Sequence, residues 1–240
     1  MSEVASHLPE EIIIKRKLQF FWLVDCSNSM KGRKISAVNQ AIREVLPELK
    51  DLLRKSHECD LEMRALKFSD RAEWHVGPDP IPIDSFIWQS LECPDPSFRP
   101  AFTAIGTAIH LLCDELESSR MRMIGRRHFR PICVLISDGY CLEGQEEYER
   151  AIERLNSMYY GSKAIRLPVV IRENGVDLLK FANHPEIGLL KPEELLRHVK
   201  FIIAESTGPM GRSIGKFDLQ QPEFESFDTI IEEDDFKTFD

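Results

Sequence analysis

The strongest constraint on the fold is the alternation of unbroken apolar runs with segments of helical periodicity. "LQFFWLV" (Leu18–Val24) and "PICVLIS" (Pro131–Ser137) hold almost no polar residue. A strand wetted on one face alternates apolar with polar residues, so an unbroken run predicts a strand covered on both faces. Between them, Ile35, Val38, Ile42, Val45, Leu46, Leu49 and Leu52 recur at the spacing of one helix face. "LEMRALKFS" predicts a second strand, with "AEWHV" returning beside it as a hairpin. Further helices are expected over "TAIGTAIHLLCDELESS", "GQEEYERAIERLNSMY", "VDLLKFAN" and "PEELLRHVKFIIAES", the last with Pro192 in its first turn. "KAIRLPVVI" predicts a strand whose Pro168 points to a bulge or a sheet edge. Six prolines from Pro78 to Pro100 argue against long helices there and leave room for a short strand around "SFIWQ". The pattern predicts an α/β fold, doubly wound, with a mostly parallel central sheet flanked by helices.

At 240 residues the chain is long enough for one good-sized domain with appendages. Its net charge of -9 argues against general nucleic-acid binding, which needs a basic footprint. Most of that charge sits at the end: residues 216–240 carry two lysines against nine acids. Six cysteines show no CxxC spacing and several lie in apolar runs, as expected of buried, reduced thiols. The first residues hold acids and too short an apolar run for a secretory signal, and no later stretch approaches a membrane span. A cytoplasmic protein is the expectation, with no membrane partner.

In sheets of this kind, ligands bind beyond the carboxyl ends of the strands. Asp25 closes the first apolar run and Asp138, in "LISDG", closes another, so both carboxylates belong at that edge. Ser27 and Ser29 follow Asp25 at alternate positions, and Thr103 opens a helix that must start at the same edge to return the chain downwards. Five oxygen-bearing side chains of this type suit a hard cation such as Mg²⁺ rather than zinc. With only two acids among them, a bound cation keeps an appetite for an external anion. Helix capping by Ser27 and Ser29 is the plainer alternative, but it leaves Thr103 and Asp138 unused. A phosphoryl-accepting Asp25 is the enzymatic alternative. Enzymes resembling the haloacid dehalogenases want a second aspartate two residues on, where Ser27 stands. The chain has no HExxH and no G-x-x-x-x-G-K-[ST] loop.

D-x-S-x-S after a first strand, a threonine opening a later helix and "SDG" after a fourth strand together resemble the von Willebrand factor A (VWA) domain. The resemblance spans residues 15–206, leaving an N-terminal extension (1–14) and an acidic tail (207–240) expected to be disordered or partner-docking. It implies a Rossmann-like VWA fold and a metal-ion-dependent adhesion site of Asp25, Ser27, Ser29, Thr103 and Asp138. The ion implied is Mg²⁺, with Mn²⁺ or Ca²⁺ as alternatives, and a partner Asp or Glu completes its coordination. "SNSMKGRKISAVNQAI" is further similar to bacterial tellurite-resistance (TerY-like) proteins. That similarity implies a non-enzymatic adaptor in stress response or defence, associated with a protein kinase or a PP2C-type phosphatase. A metal-free VWA docking scaffold is the remaining alternative.

"SSRMRMIGRRHFRP" gathers Arg120, Arg122, Arg126, Arg127 and Arg130 ahead of the "PICVLIS" strand, at the edge of the sheet opposite the aspartates. These arginines are candidates for binding an acidic segment or a phosphorylated partner, and the acidic tail leaves the last helix on the same side. With seven phenylalanines and isoleucines between Phe217 and Phe239, that tail is the natural docking candidate, in cis or in trans.

Overall fold

The computed structural model describes residues 15–54, 59–94, 103–118, 121, 129–139, 144–171, 178–183 and 191–207. Five strands form one sheet: β1 (Arg16–Asp25), β2 (Cys59–Phe68), β3 (Ala72–Pro82), β4 (Ile132–Ser137) and β5 (Ile165–Val170). Their order is β3-β2-β1-β4-β5. All neighbours run parallel except β3, which turns back on β2 as the expected hairpin. The helices are α1 (Arg33–Arg54), α2 (Ile105–Leu116), α3 (Gln145–Ser157), the short α4 (Tyr159–Lys163) and α5 (Pro192–Thr207).

The unbroken apolar run of β1 resolves into two faces of period two. Leu18, Phe20, Trp22 and Val24 join the core beneath α1 and α5, while Phe21 and Leu23 join the core beneath α2 and α3. β4 divides the same way, with Ile132, Val134 and Ile136 on the first side and Cys133 and Leu135 on the second. Each buried side chain of this size contributes roughly 1.5–3 kcal/mol, and the one polar side chain in the β1 run, Gln19, is hydrogen-bonded to Arg64 and Glu62. α1 buries every predicted position except Leu52, which is half-exposed, while Leu53 is buried in its place. β5 ends the sheet, and Pro168 sits on that edge strand opposite Leu135.

Three local expectations need correction. "SFIWQ" is no strand: its Ser85 ends a 3-10 turn (Ile83–Ser85), and Phe86 and Trp88 plug the core instead. Asn39 holds this segment in place, accepting from Trp88 Nε1 (3.0 Å) and the Leu91 N–H (2.8 Å) and donating to the Leu91 carbonyl (2.9 Å). β3 runs on through Pro78, Pro80 and Pro82, irregularly paired, because an antiparallel edge strand can spare those N–H groups. Of "VDLLKFAN" the described part is a 3-10 turn, Leu178–Phe181, with Leu178 and Phe181 buried.

The N-terminal extension, most of the arginine loop (Arg120, Arg122, Arg126 and Arg127) and residues 208–240 of the acidic tail lie outside the described residues. Arg130 is described and half-buried just ahead of β4. Phe129, next to it, donates its N–H to the Lys17 carbonyl at the start of β1, so this position lies at the amino ends of the strands.

Candidate metal centre

Asp25 is the last residue of β1 and is wholly buried. The chain turns immediately after it, and the turn is held by its own carboxylate: the Ser27 N–H donates to Asp25 Oδ1 at 2.8 Å. A short 3-10 turn (Asn28–Met30) follows, with Met30 buried in the core as its anchor, and Gly32 takes a φ of +80° to lead into α1. The hydroxyls of Ser27 and Ser29 lie 3.0 Å apart, so the alternate spacing does bring them to one side of the loop.

β4 supplies the second wall. Ser137 Oγ donates to Asp25 Oδ2 at 2.7 Å and accepts from the Gly139 N–H at 3.0 Å, tying the ends of β1 and β4 together. Asp138, the next residue, is wholly buried. Its Oδ2 is held by Lys34 Nζ at 2.7 Å, while its Oδ1 is buried with no hydrogen-bond partner among the described residues.

Thr103 is buried just ahead of α2, two residues before the helix begins rather than as its first residue. The Ala104 N–H donates to the Ser69 carbonyl (2.7 Å), and the Cys26 N–H donates to the Phe68 carbonyl (2.8 Å). Adjacent carbonyls at the end of β2 thus hold the Thr103 segment and the Asp25 loop side by side. The segment that joins β3 to Thr103 includes residues 95–102, outside the described residues.

Burial pushes the Asp25 carboxyl up to about 6; hydrogen bonds from Ser27 and Ser137 oppose that shift and the neighbouring Asp138 adds to it. Two neighbouring buried carboxylates, one with an orphaned oxygen, form a site short of positive charge. Among the described residues no group of three or more His, Cys, Asp or Glu is arranged to hold a metal ion, so the donors on offer here are two carboxylates and hydroxyls. That donor set fits a hard divalent ion. Asp25, Ser27 and Ser29 share one loop, Ser137 ties Asp25 to the strand end that carries Asp138, and the backbone after Thr103 is held beside that loop.

Two participants went unnoticed in the sequence. Ser137 lies inside the quoted "SDG" motif, and its strand-end position next to Asp138 was the signal available. Lys34 carried none, because a lysine on the first turn of a helix is ordinarily solvated. One string, "GRSIG" (residues 211–215), has the spelling of a nucleophile elbow, but an elbow needs a strand before it and this string follows α5, outside the described residues.

No family model matches the sequence, and no curated protein matches it. Solved structures do. A von Willebrand factor type A protein from Catenulispora acidiphila is similar with a TM-score of 0.52 and 16% identity, over 81% of this chain and 43% of that one. This chain has the VWA fold. Proximal thread matrix protein 1 from the mussel byssus, solved with a zinc-occupied MIDAS motif, is similar with a TM-score of 0.52 and 14% identity, over 79% of this chain and 46% of that one. The chain spans less than half the length of these structures. Identities this low speak for the VWA fold alone, and among the described residues no helix is long and apolar enough to cross a membrane.

Proposed function

We propose that this chain is a metal-dependent protein–protein interaction module. Asp25, Ser27, Ser29, Thr103 and Asp138 hold a divalent ion, Mg²⁺ in the first instance, with Mn²⁺ or Ca²⁺ as alternatives, and an Asp or Glu of a partner protein completes its shell. The observation that carries this reading is the buried, unpartnered Oδ1 of Asp138 beside the buried carboxylate of Asp25, at the strand edge where such folds bind ligands. The mussel protein's zinc-occupied MIDAS motif lends support from a chain of the same fold.

The module acts as an adaptor rather than a catalyst, in the cytoplasm, within a stress-response or defence system of the tellurite-resistance type. Its partners there are a protein kinase or a PP2C-type phosphatase. The similarity of the Asp25 loop and the start of α1 to TerY-like proteins supports this context. Arg130, at the amino ends of the strands, offers a second contact for an acidic or phosphorylated partner segment.

The test uses the full chain. Mn²⁺ should bind with a defined stoichiometry of one, Asp25→Ala should abolish it, and partner capture from cells should depend on the ion and disappear with chelator or with the same substitution. Mg²⁺-dependent turnover of a phosphate monoester, lost in Asp25→Ala, would instead make the site a phosphohydrolase with Asp25 as nucleophile. A metal-free docking scaffold has one observation in its favour, the Lys34 ammonium already seated on Asp138. Capture that survives chelator and Asp25→Ala alike would establish it.

A further inference from the structure

Lys34 extends from the first turn of α1 back over the loop that precedes it. Its ammonium donates to Asp138 Oδ2 at 2.7 Å and to the Ser29 carbonyl at 2.9 Å. It thereby bridges two of the three segments that make the candidate metal centre. The Asp138 side chain is fully buried, whereas the Lys34 side chain keeps 28% of its surface exposed. A buried carboxylate needs a positive partner to remain ionised, and a lysine with one foot in water is a partner that can leave.

We propose that Lys34 is a built-in counter-cation of this centre: it stabilises the metal-free site and weakens divalent-ion binding, by charge repulsion and by engaging Asp138. This rests on the metal-centre reading above and adds a regulatory element to it. The charge balance shows the consequence. Two ionised carboxylates and one ammonium leave the empty site at net -1, and a dication brings it to +1. Without Lys34 the loaded site would be neutral. The lysine therefore gives up ion affinity and leaves the loaded centre with the sign that attracts a partner carboxylate. The hydrogen bond to the Ser29 carbonyl also couples the two states of the site to the shape of the serine loop.

Titration of the full chain with Mn²⁺, read by the electron-paramagnetic-resonance signal of the free ion, tests the proposal. Lys34→Met keeps the length and removes the charge. Even at water's dielectric, removing a unit charge so close to a dication is worth about tenfold in affinity, so Lys34→Met should bind Mn²⁺ at least that much more tightly. Lys34→Arg keeps the charge and should stay near wild type. In chelator, Lys34→Met should melt at a lower temperature than wild type, because Asp138 has lost its counter-charge, and Mn²⁺ should raise its melting temperature by more than it raises that of wild type. If Lys34→Met folds poorly, Lys34→Gln, which keeps a donor for the Ser29 carbonyl, should show the same tightening. Wild type that binds Mn²⁺ with neutral variants equal to it or weaker would overturn the role of Lys34 and leave the metal centre standing. Failure of both wild type and the neutral variants to bind Mn²⁺ would overturn the metal centre and this proposal with it.

Discussion

Glu115→Leu should unfold this protein far more readily than an ordinary surface substitution. Glu115 lies at the end of α2 and pairs with Arg64 of β2, and their side chains are 10% and 1% exposed. Arg64 also donates to Gln19 Oε1 at 2.6 Å and lies 4.3 Å above the Phe21 ring. Gln19 in turn donates to Glu62, which also accepts from Lys17, so a polar chain crosses from the core to the surface at the amino ends of β1 and β2. Leucine leaves the buried guanidinium without its charge partner, which costs about 3–5 kcal/mol. For a domain of this size that is a large share of the usual 5–15 kcal/mol of stability, and it should lower the melting temperature by roughly 10 °C. Replacing both residues, as Arg64→Met with Glu115→Leu, removes the unpaired charge and should return stability to within about 1 kcal/mol of wild type. Urea unfolding of the two single variants and the double variant gives the coupling energy directly. A loss under about 1 kcal/mol for Glu115→Leu, or a double variant no better than the single, would refute the claim that a buried charge pair fixes α2 on the sheet. The pair also bears on the metal centre, because Thr103 stands at the other end of the same helix.

Two further outcomes follow from the same geometry. Burial pushes the thiols of Cys59, Cys113 and Cys133 from 9.0 up to about 12. The folded state thus keeps protons that the unfolded chain releases above pH 9, and stability should fall between pH 9 and 12 by about 1.4 kcal/mol per thiol per pH unit. Denaturant unfolding in reductant at pH 8 and pH 10 measures the slope, Cys133→Ala should make it shallower, and equal stability at the two pH values would contradict the burial argument. Ser137→Ala removes the hydroxyl that orients the Asp25 carboxylate and accepts from the Gly139 N–H. Loss of such an orienting partner should weaken Mn²⁺ binding about ten- to hundredfold, and titration of the variant showing wild-type affinity would make Ser137 a bystander.

Local and periodic signals were legible in the chain, and long-range partnerships were not. The apolar runs of β1 and β4 announced strands covered on both faces, since a strand wetted on one face would alternate apolar with polar residues. The helical spacing from Ile35 to Leu49 announced the face of α1, and "LEMRALKFS" with "AEWHV" announced the hairpin. These patterns determined the α/β fold, as the burial of period two and period 3.6 demands. The "SFIWQ" segment misled because Phe86 and Trp88 are core plugs, and Trp88 is held by Asn39, a partner almost fifty residues away.

Which oxygens end a strand could likewise be read from Asp25 and Asp138, because a parallel sheet puts all its carboxyl ends on one edge. What only the tertiary structure decided is how those groups are balanced. The sequence says nothing of Ser137 clasping Asp25, of Arg64 meeting Glu115 in the core, or of Lys34 reaching back to Asp138. Each is a pairing of charge or hydrogen bond across separate elements, and neither periodicity nor spacing encodes a distance between residues that only folding brings together.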